Sequence, residues 1–304
     1  MHILLIVIKR RRDEKIFLSI ILLTISAFAS LRIDATYATM GAVAKKIGGD
    51  LVKVTVLGNS KYDPHFIVPK PSLIAKLRRA NLLIMNGAGL ELGWLPPLLR
   101  AANNPAIRNG SKGLLDMSHY VPLIDVPTSV SRAFGDIHAQ GNPHFSTDPY
   151  VVLIMAKAIK DKLIELDGEH EGVYEKNYND FIKSWREYLK NFDENMRQCK
   201  TKKVVQYHEL YDYFLRRYHI KCYGTIEPLP GIAPNSKHTM ELIKIMKENG
   251  VQKILQDVYH ERKTAKFIAA KTGAKVAIVP HELGADGSKT LQEFYNKIAR
   301  RICQ

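Results

Sequence analysis

EGVYEKNYNDFIKSWREYLKNFDENMRQ, residues 171–198, holds no proline and a single glycine near its start. Tyr174, Tyr178, Phe181, Trp185, Tyr188, Phe192 and Met196 recur every three or four residues. That period puts them on one face of a helix. The spacing predicts one unbroken amphipathic helix over 171–198, with the aromatics as a packing stripe rather than a cofactor box. A helix this long, set between two other patterns, makes a stiff connection.

On both sides of it, strands alternate with helices. Ahead of it the pattern predicts strands at 31–37, 51–57 and 82–85 and helices at 40–47, 71–79, 95–102 and 148–166, the last with Asp148 as N-cap and Pro149 at its first position. Behind it come strands at 204–207, 222–226, 253–255 and 276–279 and helices at 210–218, 239–249, 262–272 and 291–301. The fold class is α/β: two α/β lobes with mostly parallel sheets, joined by one long rigid helix, with the ligand site in the cleft. The boundaries are 30–168 for the N-terminal lobe, 169–198 for the linking helix and 199–304 for the C-terminal lobe.

Composition narrows the function classes. The 304 residues are 46% hydrophobic and 25% charged, as in a folded globular protein, and carry a net charge of +15. Residues 1–29 contribute +3 of it. The remaining basic residues are scattered among acidic ones, without a basic helix stripe or an aromatic platform, so nucleic acid is not an expected partner. Lys9-Arg10-Arg11-Arg12, an apolar run over 16–28 and Ala27-Phe28-Ala29 together describe a secretory signal peptide over 1–29. The apolar stretch 1–8 leaves a membrane anchor as the alternative. The expected mature protein begins near Ser30 and is a soluble periplasmic monomer. Cys199, Cys222 and Cys303 are odd in number, so at least one is unpaired within a monomer. None of them lies near the signal end, where a lipid would be attached.

Four histidines stand where a strand gives way to a loop or helix: His65, His144, His208 and His281, two from each lobe. Neutral imidazole suits zinc, which takes four N, O or S donors in a tetrahedron. His138, close to His144, is a supporting donor or an alternative ligand. His119, His170, His219, His238 and His260 read as structural or solvated. No H-E-x-x-H, G-x-S-x-G, Walker loop or strand-following G-x-G-x-x-G occurs, so an enzyme is not expected. An exported zinc-dependent hydrolase, with His281-Glu282 as ligand and base, is the rival reading.

Asp63-Pro64-His65, Pro69-x-Pro71-Ser72, Ala80-Asn81-Leu82-Leu83 and Asn86-Gly87-x-Gly89-Leu90-Glu91 come in that order. Gly141-Asn142-Pro143-His144 with Asp148-Pro149 follows. Tyr207-His208 ahead of Tyr213-Phe214 and Arg217 comes next, and then Glu227-Pro228-x-Pro230-Gly231-Ile232. This linked series resembles the zinc- and manganese-binding solute-binding proteins of bacterial ABC importers, the cluster A-I or TroA-like family, over essentially the whole chain after residue 29. The resemblance implies two α/β lobes on a long helix, and a protein that captures Zn2+ and delivers it to an importer permease at the inner membrane. A metal-binding adhesin or chaperone without a transporter is the alternative. It also implies His65, His144 and His208 as metal ligands. Where manganese-type members tend to carry Glu, this chain has His208, which favours Zn2+ over Mn2+. The family's fourth ligand is commonly Asp in an Asp-x-Leu-Gly segment. Here the stretch is His281-Glu282-Leu283-Gly284, and the fourth donor is open among His281, Glu282 and water, with His281 preferred by register. Cys199 and Cys222, which flank the strand and helix around His208, are the expected disulfide pair.

Overall fold

Strands of three to five residues cannot stand alone, and this chain assembles them twice through crossover helices. The computed structural model describes residues 30–128 and 138–304; the signal-peptide reading of 1–29 lies outside the described residues. The first sheet holds β1 (Leu31–Ala35), β2 (Val52–Val56), β3 (Leu82–Met85) and β4 (Leu114–Asp116) in the order β2-β1-β3-β4. The second holds β5 (Lys203–Gln206), β6 (Lys221–Thr225), β7 (Lys253–Gln256) and β8 (Lys275–Ile278) in the order β6-β5-β7-β8. Every pairing is parallel. Strand order therefore reverses beside β1 in one lobe and beside β5 in the other, and the loops leaving those strand ends are where an α/β sheet opens a site. β4, only three residues long, carried no sequence signal of its own.

The helices follow the apolar spacing. In the first lobe they are α1 (Ala38–Gly48), α2 (Pro71–Leu77), α3 (Leu95–Ala102) and α4 (Val151–Leu166). The linking helix α5 spans Glu171–Arg197, 27 residues and about 40 Å at 1.5 Å per residue. The second lobe has α6 (Asp212–Arg217), α7 (Ser236–Asn249), α8 (Lys263–Thr272) and α9 (Leu291–Cys303). No helix among the described residues is long and apolar enough to cross a membrane.

α5 buries Tyr174, Phe181, Ile182, Trp185, Leu189, Phe192 and Met196; Tyr178 and Tyr188 of the expected stripe sit at its edge. Trp185 binds both lobes at once. Its indole N–H donates to Pro149 O at 3.0 Å and its ring lies 5.8 Å from that of Tyr295 on α9. One hydrophobic core consequently runs from the first sheet across α5 to the near face of the second. A smaller core covers the far face of the second sheet. The two-residue period of a strand separates them: Val204 and Leu255 point into the shared core, Val205 and Ile254 into the smaller one.

Two expectations are corrected here. α4 begins at Val151 without a side-chain cap, and Asp148 does other work. It accepts from Tyr150 N at 2.9 Å and takes two N–H bonds from the Arg217 guanidinium, each 2.6 Å, tying the lobes together. The disulfide joins Cys199 to Cys303, not to Cys222. Cys199 lies just past the end of α5, and α9 packs back along α5, bringing their Cα atoms to 4.9 Å. Cys222 instead lies on β6 with its thiol against Gly224 O and Gln206. Closure entropy rises so slowly with loop length that the shorter loop held no real advantage.

Candidate metal centre

His65 lies in the loop after β2. Asp63 shapes that loop by accepting His65 N at 2.9 Å and His65 Nδ1 at 2.7 Å, while Tyr37 donates its hydroxyl to Pro64 O at 2.9 Å. Gly93 backs the loop, and a Cβ there would sit 2.8 Å from His65 O, so any larger residue would push His65 out of place. His144 is set by Asn142, whose Oδ1 accepts His144 N at 2.9 Å and whose Nδ2 donates across the cleft to Glu209 O at 2.8 Å. Asn86, at the end of β3, donates to Pro143 O at 2.9 Å. His208 comes two residues after β5, and its Nδ1 faces Glu227 Oε2 at 2.9 Å.

The fourth corner is His138. A turn through Gly141, whose N–H donates to His138 O at 2.8 Å, folds it back toward His144. Gly141 takes φ +112 there, a region that favours glycine. The six ring-centroid separations among His65, His138, His144 and His208 run from 5.0 to 5.6 Å, close to a regular tetrahedron. Their ligand atoms all lie within 4.8 Å of one another, and His144 Nε2 and His208 Nε2 are 3.1 Å apart. Four nitrogens around a zinc at about 2.0–2.1 Å stand about 3.3 Å from each other, so a small contraction completes the shell. Asp63 and Glu227 occupy the Nδ1 atoms of His65 and His208, which leaves the Nε2 of each as its possible ligand atom. The Nε2 atoms of His65 and His138 are buried with no hydrogen-bond partner, so both are available to a metal that the cluster could hold.

Burial keeps His138, His144 and His208 neutral. It pushes His138 down to about 2 and His144 well below the ordinary value, and the neighbouring imidazoles add to both. Burial also lowers His208, against the raising effect of Glu227. A metal bound at these three would therefore meet imidazoles already deprotonated.

Of the four sequence-derived donors, His65, His144 and His208 come together and His281 does not. His281 is buried with neither ring nitrogen bonded to a partner, its ring 4.9 Å from that of Tyr259, and burial pushes it down to about 4. Glu282, the other option, is spent elsewhere. Its Oε1 accepts the N–H of Thr39 at 2.8 Å and the Thr39 hydroxyl, in the first turn of α1, where an anion meets free N–H groups and the positive end of the helix dipole.

Behind His208 lies an arrangement that sequence reasoning missed. Glu227 Oε1 faces His260 Nε2 at 3.3 Å, and His260 Nδ1 faces Asp257 Oδ2 at 2.8 Å. Burial alone would raise Glu227, but the bonds from His208 and His260 outweigh it and bring it to about 2. Burial alone would lower His260, yet Asp257 and Glu227 carry it up to about 9. The available signal was Asp257-x-x-His260, an i, i+3 spacing just past a strand end.

Comparison with known proteins identifies the family. The sequence profile described as ZnuA, zinc-uptake complex component A periplasmic, matches residues 33–304. The high-affinity zinc uptake system protein ZnuA of Bacillus subtilis (strain 168) is 23% identical over 251 residues, covering 82% of this chain and 77% of that protein. The manganese ABC transporter substrate-binding lipoprotein scaA of Streptococcus gordonii is 28% identical over 162 residues, 52% of this chain and 49% of that one. A crystal structure of ZnuA superposes with a TM-score of 0.76 at 26% identity, over 90% of this chain and 98% of that chain. With the profile running over nearly all of the described residues, the chain belongs to the periplasmic zinc-uptake component A family.

Proposed function

We propose that this protein captures one Zn2+ through Nε2 of His65, His138, His144 and His208 and delivers it, in the periplasm, to the permease of an ABC importer in the inner membrane. The carrying observation is the tetrahedral set of four imidazoles, three of them buried and His65 half-buried, two with unpartnered Nε2 atoms. Four nitrogen donors without an oxygen favour zinc over manganese, which prefers carboxylate, carbonyl or water. One chain supplies every donor, so the monomer is the working unit. A hydrolytic zinc keeps one coordination position open for water. Here four protein groups fill the shell, and Glu282, the base such a reading needs, is bonded to Thr39.

Delivery requires release. The lobes are tied beside the site by Tyr213 Oη to Asn142 O at 2.8 Å, Thr147 Oγ1 to Leu210 O at 3.1 Å and Tyr295 Oη to Ser146 O at 2.8 Å. These bonds and the stiff α5 favour loop displacement at the site over wide hinge opening. Metal analysis of untagged protein purified without added metal, followed by calorimetric titration, is the test: one zinc per chain is expected. Protein that comes metal-free and gives no heat with zinc overturns the reading.

A further inference from the structure

We infer that Glu227, locked in place by His260 and Asp257, is the positioning and charge-supplying residue of the zinc site, acting through His208 without touching the metal. The inference rests on the four-histidine reading and deepens it. A cage of four neutral imidazoles leaves the full charge of Zn2+ uncompensated among its ligands. The nearest counter-charge must therefore lie behind one of them, and it must be held so that it cannot swing in and become a ligand itself. The geometry meets both conditions at Glu227 and only partly at Asp63. Asp63 is a near neighbour of His65 in sequence and sits at the more exposed corner, its side chain 24% and that of His65 15% exposed. Glu227 is 8% exposed beside a His208 that is 4% exposed.

Both oxygens of Glu227 are engaged. Oε2 accepts from Nδ1 of His208 at 2.9 Å and Oε1 faces Nε2 of His260 at 3.3 Å. His260 is pinned from its other side by Asp257 Oδ2 at 2.8 Å, and Asp257 Oδ1 accepts the backbone N–H of Tyr259 at 3.0 Å and of His260 at 2.8 Å. The Tyr207 ring stacks on His260 at 4.1 Å, fixing its plane. With a carboxylate at each nitrogen, His260 donates from both. The set Asp257, His260, Glu227 thus holds a fixed carboxylate against Nδ1 of His208. That charge fixes the tautomer with Nε2 toward the metal and makes the imidazole a stronger donor. It also explains how the site holds a dication with no oxygen ligand and so keeps the nitrogen-only character that disfavours manganese.

Glu227→Gln and Glu227→Ala test this in the full chain, with zinc and cobalt(II) as the probes. Glu227→Gln is expected to weaken zinc binding by about 10- to 100-fold, to shift the visible bands of the cobalt(II) protein, and to leave one metal per chain. Unchanged zinc affinity together with an unchanged cobalt spectrum overturns the inference, and the four-histidine reading survives it as long as His208→Ala still abolishes tight binding. Failure of the wild-type protein to bind zinc overturns that reading instead. Should the variants fail to fold, long-range 1H–15N spectra of the zinc-loaded wild type decide. A proton on Nδ1 of His208 with Nε2 metal-bound is expected, and the opposite tautomer overturns the inference.

Discussion

The two lobes run their strands in the same order, yet they contribute unequally to the proposed metal site. The N-terminal lobe contributes three imidazoles from loops, His65, His138 and His144; the C-terminal lobe contributes one, His208. Behind that one it places two buried carboxylates and a second histidine, His260, bonded to both. The two sets titrate in opposite senses, since burial drives His138 and His144 down while Asp257 and Glu227 carry His260 up against its burial. One topology thus builds a neutral cage in one half and its counter-charge in the other, and loop chemistry, not sheet order, decides which.

The covalent difference between the lobes gives the largest expected effect. Cys199–Cys303 clamps the C-terminal helix to the end of α5 and closes a span of 104 residues. In the chain-entropy model such a link contributes about 4–5 kcal/mol. Cys303→Ser is expected to lose most of that in urea unfolding while still binding one zinc. Unchanged stability would place the anchoring of α9 entirely in its packing.

Next in size is the cage itself. His144→Ala and His208→Ala, one from each lobe, are each expected to weaken zinc binding by about 100-fold or more, beyond the 10- to 100-fold typical of a group behind a ligand. His65→Ala and His138→Ala should follow at tenfold or more, since these side chains lie at the cage's more exposed side. Calorimetric titration of the four variants checks the order. A His138→Ala protein with wild-type affinity would reduce the N-terminal share to two.

Much of this was legible in advance, for physical reasons. The α5 stripe and the alternation around it gave both lobes, because a 3.6-residue period over 27 residues admits one reading. His65, His144 and His208 stood out because they follow strand ends or open a helix. His138 was read only as an alternative because its position depends on the Gly141 turn and on a contact with the other lobe's His208, neither of which leaves a periodic trace. Glu282 was kept open as a fourth donor for the same kind of reason. Its partner, Thr39, lies 243 residues away, and a carboxylate capping a distant helix looks in sequence like one waiting for a metal. The Cys303 pairing likewise depends on α9 returning along α5.

The opposed titrations predict a maximum in what the histidines contribute to the stability of the metal-free protein. Groups lowered in the fold, His138, His144 and His208, bind fewer protons than the unfolded chain does below the ordinary value of 6.5. They cost stability progressively as pH falls under about 6.5. His260 is raised to about 9; its contribution is complete below 6.5 and is lost as pH climbs through about 9. The histidine contribution to the thermal midpoint of metal-free protein should accordingly peak near pH 6.5–7. It is read as the difference between wild type and histidine variants, because Glu91, Glu209 and Glu282, each raised to about 7 by burial, add an opposing decline up to that pH. Zinc should flatten the acid side until protons displace it, and His260→Gln should remove the alkaline decline. A midpoint still rising at pH 9 would contradict the charge assigned to His260.

The smallest expected effect belongs to His281, and it sharpens the comparison most, because it asks whether the C-terminal lobe supplies one donor or two. Its register at the end of the last strand made it the sequence-based choice for the fourth ligand. Yet its ring nitrogens meet no partner, its ring packs at right angles to Tyr259, and the tetrahedron is complete without it. A buried imidazole with two unsatisfied nitrogens costs stability, on the order of 1–3 kcal/mol for such a group. His281→Leu keeps the bulk and removes the cost. It is expected to leave zinc affinity within about threefold and to hold or raise the unfolding free energy, by about 1 kcal/mol. Calorimetry and urea unfolding on the same preparation read both quantities. A tenfold loss of zinc affinity with stability intact would bring His281 into the coordination shell in place of His138 and make the two lobes equal partners. A loss of stability with affinity intact would mean that ordered water satisfies those nitrogens, leaving the three-to-one division standing.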